Sequence, residues 1–211
     1  MSAIGQVATA SLAAPRLGLF ECIAADTLRA ALDRQVGLQE QDLSWTDKLS
    51  AFLRLSTQVV VIHRIRHELR RVRIPVLRQL LLIPASLYET ALRILTGVII
   101  DARAEIGPGF LVHSPYGVLI GGIKIGANCT VQCGVLISAA SRGVGDNVYF
   151  GPGVKLIADT RIGNNVVIVA NSVVLTDVAD DTTIAGVPAR IRLKGGRPRR
   201  FKRVVEPEQG K

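Results

Sequence analysis

Several familiar signals are missing from this 211-residue sequence. The first residues, MSAIGQVATASLAAPRLG, lack the charged start and continuous apolar core of a secretory leader. The greasiest stretch, Ile74 to Ile100, is interrupted by Arg78, Glu89 and Arg93, so no membrane-spanning run is expected. The three cysteines, Cys22, Cys129 and Cys133, form neither a CxxC pair nor a disulfide framework. These absences point to a cytoplasmic protein. Positive charge is also scarce in the middle of the chain. Residues 97–189 hold five basic and seven acidic side chains, a net of −2, so with a total of +9 the remainder carries +11. That distribution excludes a nucleic-acid enzyme with a basic active channel. It leaves an anionic surface, including the inner membrane face, as a neighbour for the basic arms.

Hydrophobic residues make up 48% of the sequence, which places it among globular chains. Residues 1–18, rich in Ala, Ser and Gly, are predicted to be poorly ordered. Residues 19–96 read as an α-helical domain. Helical spacing runs from Leu19 to Val36 and is followed by a polar linker at 37–42. Ser44-Trp45-Thr46-Asp47 is an N-cap signal opening a helix to about Arg73, where Pro75 stops it. Its basic face (Arg54, Arg64, Arg66, Arg70, Arg71, Arg73) opposes an apolar one (Phe52, Leu55, Val59, Ile62, Ile65, Leu69). That amphipathicity fits packing on the rest of the protein or contact with an anionic membrane. A further helix from Val76 to Leu95 is expected to break or kink at Pro84. Trp45 and Phe52 read as packing residues. His63 and His67 are spaced as a metal pair would be, but on an Arg-rich face a solvated role is preferred, and no metal is expected.

At Gly97 the period changes. An apolar residue recurs every sixth position at Ile106, Val112 and Val118. After one extra residue it recurs at Ile125, Val131 and Ile137, and after another at Val144, Phe150, Leu156, Ile162, Ile168 and Val174. At this composition chance would fill all twelve positions with a frequency on the order of 10⁻⁴. Three residues after each comes a corner position: Gly109, Pro115, Gly121, Asn128, Gly134, Ala140, Asn147, Gly153, Asp159, Asn165, Asn171 and Asp177. Ten of these twelve are Gly, Asn or Asp, which tolerate left-handed backbone angles at a tight turn. A small residue mostly follows. Repeated strand, corner and inward small residue make a three-sided coil of about eighteen residues, with stacked coils supplying one another's core. The fold class is therefore mainly β: a parallel β-helix of about four coils over 97–191, behind an N-terminal α-helical domain. Residues 192–211 form a basic tail.

The lattice fails at two corners and carries two insertions. Pro115 lies within His113-Ser114-Pro115-Tyr116-Gly117, and Ala140 within Ser138-Ala139-Ala140-Ser141-Arg142-Gly143. These sites are expected on neighbouring coils, flanking one cleft. His113 is the one histidine of the repeat region, and strand alternation turns it outward beside Val112. A neutral imidazole suits a general base that takes a proton from a hydroxyl attacking a thioester. A thioester is already activated, so the reaction needs a base, an oxyanion donor and aligned substrates rather than a nucleophilic side chain. The plain alternative is a surface imidazole with no chemical role. A metal site of the γ-class carbonic anhydrase kind needs three histidines from the coils and is excluded by having one. Cys129 falls at an inward small position and reads as core, and Cys133 as outward without an activating neighbour.

The repeat resembles the hexapeptide-repeat acyltransferases, a likeness that implies a left-handed coil. Ile106-Gly107-Pro108-Gly109-Phe110, the segment from His113 to Gly121, and Ala185-Gly186-Val187-Pro188-Ala189-Arg190 are most similar to serine acetyltransferases and to O-acetyltransferases of surface-polysaccharide clusters. The resemblance implies acetyl-CoA as acyl donor and a homotrimer with sites between adjacent subunits, and the lattice break makes His113 the expected catalytic base. Ser114, Tyr116 and Arg142 are the expected acceptor-binding residues. Gly151, Gly153, Ala170, Gly186 and Pro188 are expected along the CoA groove, with Arg190 and Lys194 at its phosphates. The chain departs from serine acetyltransferases in three places. Their histidine would occupy the position of Ser114. The loop that usually holds a second histidine is reduced to Ser141-Arg142-Gly143. The sequence ends Glu208-Gln209-Gly210-Lys211, without a terminal isoleucine. These departures favour a sugar or polysaccharide precursor as acceptor. Serine acetyl transfer and an inactive scaffold that binds CoA or a partner are the alternatives.

Overall fold

Helix α1 (Leu19–Arg34) is the first described element in the computed structural model, which describes residues 17–34 and 43–194. The expected linker at 37–42, nearly all of the N-terminal 18 residues and the tail beyond Lys194 lie outside the described residues. Helix α2 (Trp45–Phe52) begins at the predicted cap, where the Asp47 carboxylate accepts the Ser44 N–H at 3.1 Å. The single helix expected up to Arg73 is instead α2 followed by α3 (Leu55–Leu69). Arg54 turns extended between them, at φ −66° and ψ 140°. The freed carbonyls of α2 are taken up by the next helix: Thr57 Oγ1 donates to Ala51 O at 2.7 Å and Gln58 Nε2 to Phe52 O at 2.6 Å. Helix α4 (Pro75–Thr96) starts with proline in its first turn and runs through Pro84 without breaking, a correction to the expected interruption. It ends at Gly97, whose φ of 66° makes a left-handed cap donating to Arg93 O. Trp45 is 72% exposed and packs no core, contrary to its sequence reading.

From Val98 the chain winds as a parallel β-solenoid of two-residue strands on three faces. Sheet A stacks β1 (Ile99–Ile100), β4 (Leu119–Ile120), β7 (Leu136–Ile137), β10 (Lys155–Leu156) and β13 (Val173–Val174). Sheet B stacks β2 (Glu105–Ile106), β5 (Lys124–Ile125), β8 (Gly143–Val144) and β11 (Arg161–Ile162). Sheet C stacks β3 (Leu111–Val112), β6 (Thr130–Val131), β9 (Tyr149–Phe150), β12 (Val167–Ile168) and β14 (Thr182–Ala185), closed by antiparallel β15 (Arg190–Lys194). The helix extends to five coils, because Ile99–Ile100 adds a strand before the counted lattice and Thr182–Ala185 adds one after it.

The inward ladders follow the six-residue spacing with one change of register. Ile120, not Val118, sits between Ile100 and Ile137 in sheet A. The insertion before it therefore holds two extra residues within 113–117, and 121–124 is one residue short. Val118 remains fully buried two positions earlier, in the row with Val98, Val135 and Val154. Left-handed residues occupy two of the three corners. One column is Gly97, Gly117, Gly134, Gly153 and Asn171; the other is Gly109, Asn128, Asn147, Asn165 and Asp181. Pro115, Gly121, Ala140, Asp159 and Asp177, expected at left-handed corners, do not adopt positive φ. The edge between sheets A and B lacks a matching column of left-handed residues.

The helices close the first coil. Val59, Val60, Ile62 and Leu92 join the same core as Val98, Ile100 and Val112. Separately, Ala30, Ala31, Leu32 and Leu43 pack on Leu111, the outward neighbour of Val112. Helix α1 is thus laid on the outer face of sheet C. No helix among the described residues is long and apolar enough to cross a membrane.

Candidate active site

Alternation along β3 sends Leu111 and His113 to the same outer face, the one that α1 covers. The consequence is a contact absent from any sequence reading: His113 Nε2 lies 3.2 Å from Asp33 Oδ2, in the last turn of α1. The other ring nitrogen, Nδ1, is 3.3 Å from Ser114 Oγ. A carboxylate can only accept, so Asp33 favours the tautomer with the proton on Nε2 and leaves the lone pair on Nδ1. The His113 side chain is 45% exposed and that of Asp33 31%, so the pair sits at an accessible rim.

Two more polar residues of α1 hold this geometry. Asp26, Arg29 and Asp33 occur at i, i+3 and i+7 and share one helix face. Arg29 donates to Thr130 Oγ1 at 2.8 Å, anchoring α1 to the second strand of sheet C. Asp26, 1% exposed, accepts Arg64 Nε at 2.5 Å and Arg64 Nη2 at 3.0 Å, and also the Phe110 N–H at 2.9 Å. Arg64 also donates to the carbonyls of Ile106 and Gly107, at 2.9 and 2.7 Å. One buried ion pair therefore joins α1, α3 and the first coil. Burial pushes the Asp26 carboxyl up, while Arg64 and the Phe110 N–H pull it the other way.

These contacts revise the basic face expected on the helix to Arg73. Arg64 is buried in the Asp26 pair, Arg54 donates to Ala30 O at 2.8 Å, and Arg66 pairs with Glu89. His63 is buried rather than solvated, its Nε2–H donating to Ala104 O at 3.1 Å. Burial pushes its pKa down to about 4. Among the described residues no group of three or more His, Cys, Asp or Glu is placed to hold a metal ion. Cys129 is fully buried, and burial pushes its thiol up to about 12.

The remaining candidates divide between two edges of the prism. His113, Ser114 and Tyr116 lie on the edge from sheet C to sheet A. On the next coils the same edge carries Cys133 and Gly134, then Gly151 and Gly153, then Ala170 and Asn171. The column is bonded throughout: Gly134 N–H to Tyr116 O at 2.9 Å, Gly153 N–H to Cys133 O at 2.9 Å, Asn171 N–H to Pro152 O at 2.8 Å. A β-carbon on Gly151 would stand 2.6 Å from the Ala170 nitrogen, so these two segments approach closely. Gly186 caps the column, donating to Ser172 Oγ at 3.2 Å, beside the cis Val187–Pro188 bond. Arg190 pairs with Ala185 and Lys194 with Thr182 across β14 and β15. Seven of the expected residues thus lie along a single edge that starts at His113 and climbs toward the last coil.

Arg142 is elsewhere. It sits on the edge from sheet A to sheet B, held by Asp177 at 2.6 Å and Asp159 at 3.2 Å. The two lattice breaks occupy opposite sides of sheet A and do not flank one cleft within a single chain. Asp33 was missed because the sequence offered only an ordinary amphipathic helix there. The one available signal was the polar i, i+3, i+7 stripe on a helix otherwise buried through alanine and leucine.

Residues 143–176 match the model of the bacterial transferase hexapeptide, six repeats. That segment of the solenoid therefore carries the hexapeptide repeat of bacterial transferases. It is 36% identical over 147 residues to a serine acetyltransferase of Synechococcus elongatus, a match covering 66% of this chain and 57% of that one. The chain therefore spans little more than half the length of that relative. Among solved structures, a serine acetyltransferase in complex with CoA superposes with a TM-score of 0.66 at 25% identity, covering 82% of this chain and 69% of the other. A serine acetyltransferase of Neisseria gonorrhoeae in complex with serine gives 0.65 at 27%, covering 83% and 69%.

Proposed function

We propose that this protein transfers an acetyl group from acetyl-CoA to the hydroxyl of a small acceptor, with His113 as general base. The Asp33–His113 contact at 3.2 Å carries the reading. An imidazole oriented by a carboxylate, on an exposed edge and with its other nitrogen facing a hydroxyl, is the arrangement general-base attack requires. Nδ1 takes the acceptor's proton as its oxygen attacks the thioester carbonyl. The tetrahedral intermediate then expels the CoA thiolate, which recovers the proton from the imidazolium. Asp33 stabilises the imidazolium between the two steps.

Serine is the first acceptor to try. The relatives are serine acetyltransferases, and nothing in the comparisons supports the sugar or polysaccharide acceptor expected from the lattice departures. Ser114, whose Oγ already faces Nδ1, and exposed Tyr116 are the proposed acceptor contacts. The glycine-lined column from Gly151 to Pro188 is the proposed CoA groove, with Arg190 and Lys194 toward its phosphates. A homotrimer is part of the proposal. Outward residues Ile99 and Leu119 of sheet A are each 38% exposed and continue an apolar row with Leu136, a surface suited to a second copy. A neighbour docked across sheet A would bring its Arg142 edge toward this chain's His113 edge, uniting the two breaks.

The test is acetyl-CoA turnover by the purified chain with L-serine, other small hydroxyl compounds and a sugar panel, wild type beside His113→Ala. Transfer that drops at least about a hundredfold in the variant supports the assignment. An equally active His113→Ala protein overturns it. CoA binding with no turnover on any acceptor favours the inactive scaffold.

A further inference from the structure

Helix α4 carries more exposed apolar surface than the rest of the described chain explains. Val76, Leu80, Ile83, Leu87, Ile94 and Leu95 are between 59 and 79% exposed. At about 100° per residue the exposed apolar positions of α4 span an arc of roughly 160° that contains no charged side chain. Its buried side, carrying Leu92 and Thr96, faces the first coil, and Glu89 and Arg66 pair α4 to α3. The nine large apolar side chains of the arc, 39 to 79% exposed, present on the order of 900 Å², above the 300–600 Å² of the largest patch on an ordinary monomer.

We propose that this face of α4 lies in the surface of an anionic membrane. Three observations select lipid as the occupant. First, the exposed arginines Arg70, Arg71 and Arg73 sit at the N-terminal approach to the helix; Arg71 pairs with Glu68 and Asp101 lies within electrostatic reach of Arg70, which leaves the cluster net basic. Such a basic cluster beside an apolar face complements phosphate headgroups. Second, the arc is about 160° wide, whereas packing against one partner helix uses a narrow stripe and leaves the flanks wet. Immersion to the depth of the headgroup boundary covers the whole width. Third, Tyr88 stands at the edge of the arc. Its hydroxyl is tied to Gln58 Oε1 at 3.0 Å and the residue is 45% exposed, the half-wet setting aromatic side chains take at a lipid surface. The helix is in-plane, because no described helix meets the requirement for crossing a bilayer. The proposal does not depend on acetyl transfer.

The full chain is sedimented with vesicles of phosphatidylcholine alone or with about one third phosphatidylglycerol, at low and raised salt. The expected result is retention on the anionic vesicles, weakened by salt, and at least tenfold weaker for Leu80→Gln/Leu87→Gln and for Arg70→Glu/Arg73→Glu. All four side chains are exposed, so the variants keep the wild-type circular dichroism and melting temperature. Absence of wild-type binding to anionic vesicles overturns the proposal, as does undiminished binding by both folded variants. A wild-type oligomer that Leu80→Gln/Leu87→Gln dissociates, without vesicle binding, assigns the face to a second copy and overturns it equally.

Discussion

Asp33 Oδ2 and His113 Nε2, which come from a helix near the start of the chain and a turn of the β-helix, stand 3.2 Å apart. In the proposed reaction the carboxylate orients the imidazole, so it would act through His113 rather than on the substrate. Asp33→Asn is expected to lower kcat by about a hundredfold while leaving KM for acetyl-CoA within about twofold. Asp33→Glu recovers part of the loss. A melting temperature unchanged in both variants separates this positioning role from a structural one, and an Asp33→Asn enzyme with wild-type kcat removes it.

The Asp26–Arg64 pair decides where α1 lies. Both side chains are under 10% exposed, so removing either partner strands a charge in the interior. Arg64→Met or Asp26→Leu should each cost about 3–5 kcal/mol of unfolding free energy. The double variant Asp26→Leu/Arg64→Met should lose less than the sum, because no uncompensated charge remains. Urea titration of the four proteins completes the cycle. Additive losses would mean that the two groups do not act as a pair.

His63 links stability to pH. Its folded pKa is pushed down to about 4 by burial, against about 6.5 for an exposed imidazole. The folded state therefore resists protonation that the unfolded state accepts. The contribution is complete above pH about 6.5 and is lost as pH falls toward 4, by up to about 3 kcal/mol. His63→Gln, which can still donate to Ala104 O, should flatten the decline between pH 7 and 5. An identical decline in both proteins would place the pH sensitivity elsewhere.

Gly107, Gly126, Gly145 and Gly163 follow the inward residues of sheet B and stack on successive coils. A β-carbon on Gly145 would meet the Gly163 backbone at 2.7 Å, so Gly145→Ala is expected to cost more than about 2 kcal/mol and lower the melting temperature by several degrees. Asn147→Gly is expected to cost less, about 1 kcal/mol, since glycine accepts the φ of 58° while the hydrogen bond to Asn165 is lost. Calorimetry of the two variants checks the order; reversal would mean that coil spacing is not set by the glycine column.

The coils were legible because a six-residue repeat is local chemistry. Ile125, Val131 and Ile137 must face inward wherever the corners between them turn, and Asn128, Asn147 and Asn165 announce one of those corners by their tolerance of positive φ. Where two extra residues enter within 113–117 the six-residue count lost register, and Val118 stood in for Ile120. Helix ends were harder. Pro84 looked like a break, yet α4 continues through it, and the join of α2 to α3 depends on Thr57 and Gln58 reaching carbonyls that no propensity describes.

The candidate site divides along the same line. His113 could be found on its strand, because alternation settles its outward direction within three residues. The edge from Gly151 to Gly186 could be found by resemblance and by its glycines. Asp33 could not, since nothing in the spacing of α1 says which strand it covers. Its partner is chosen by Leu111 packing under Ala30, Ala31 and Leu32, by Arg29 reaching Thr130, and by Arg64 closing on Asp26. A repeat dictates its own geometry through contacts between like neighbours, whereas docking a helix onto that repeat is settled by long-range burial and by the few buried charges that must find each other.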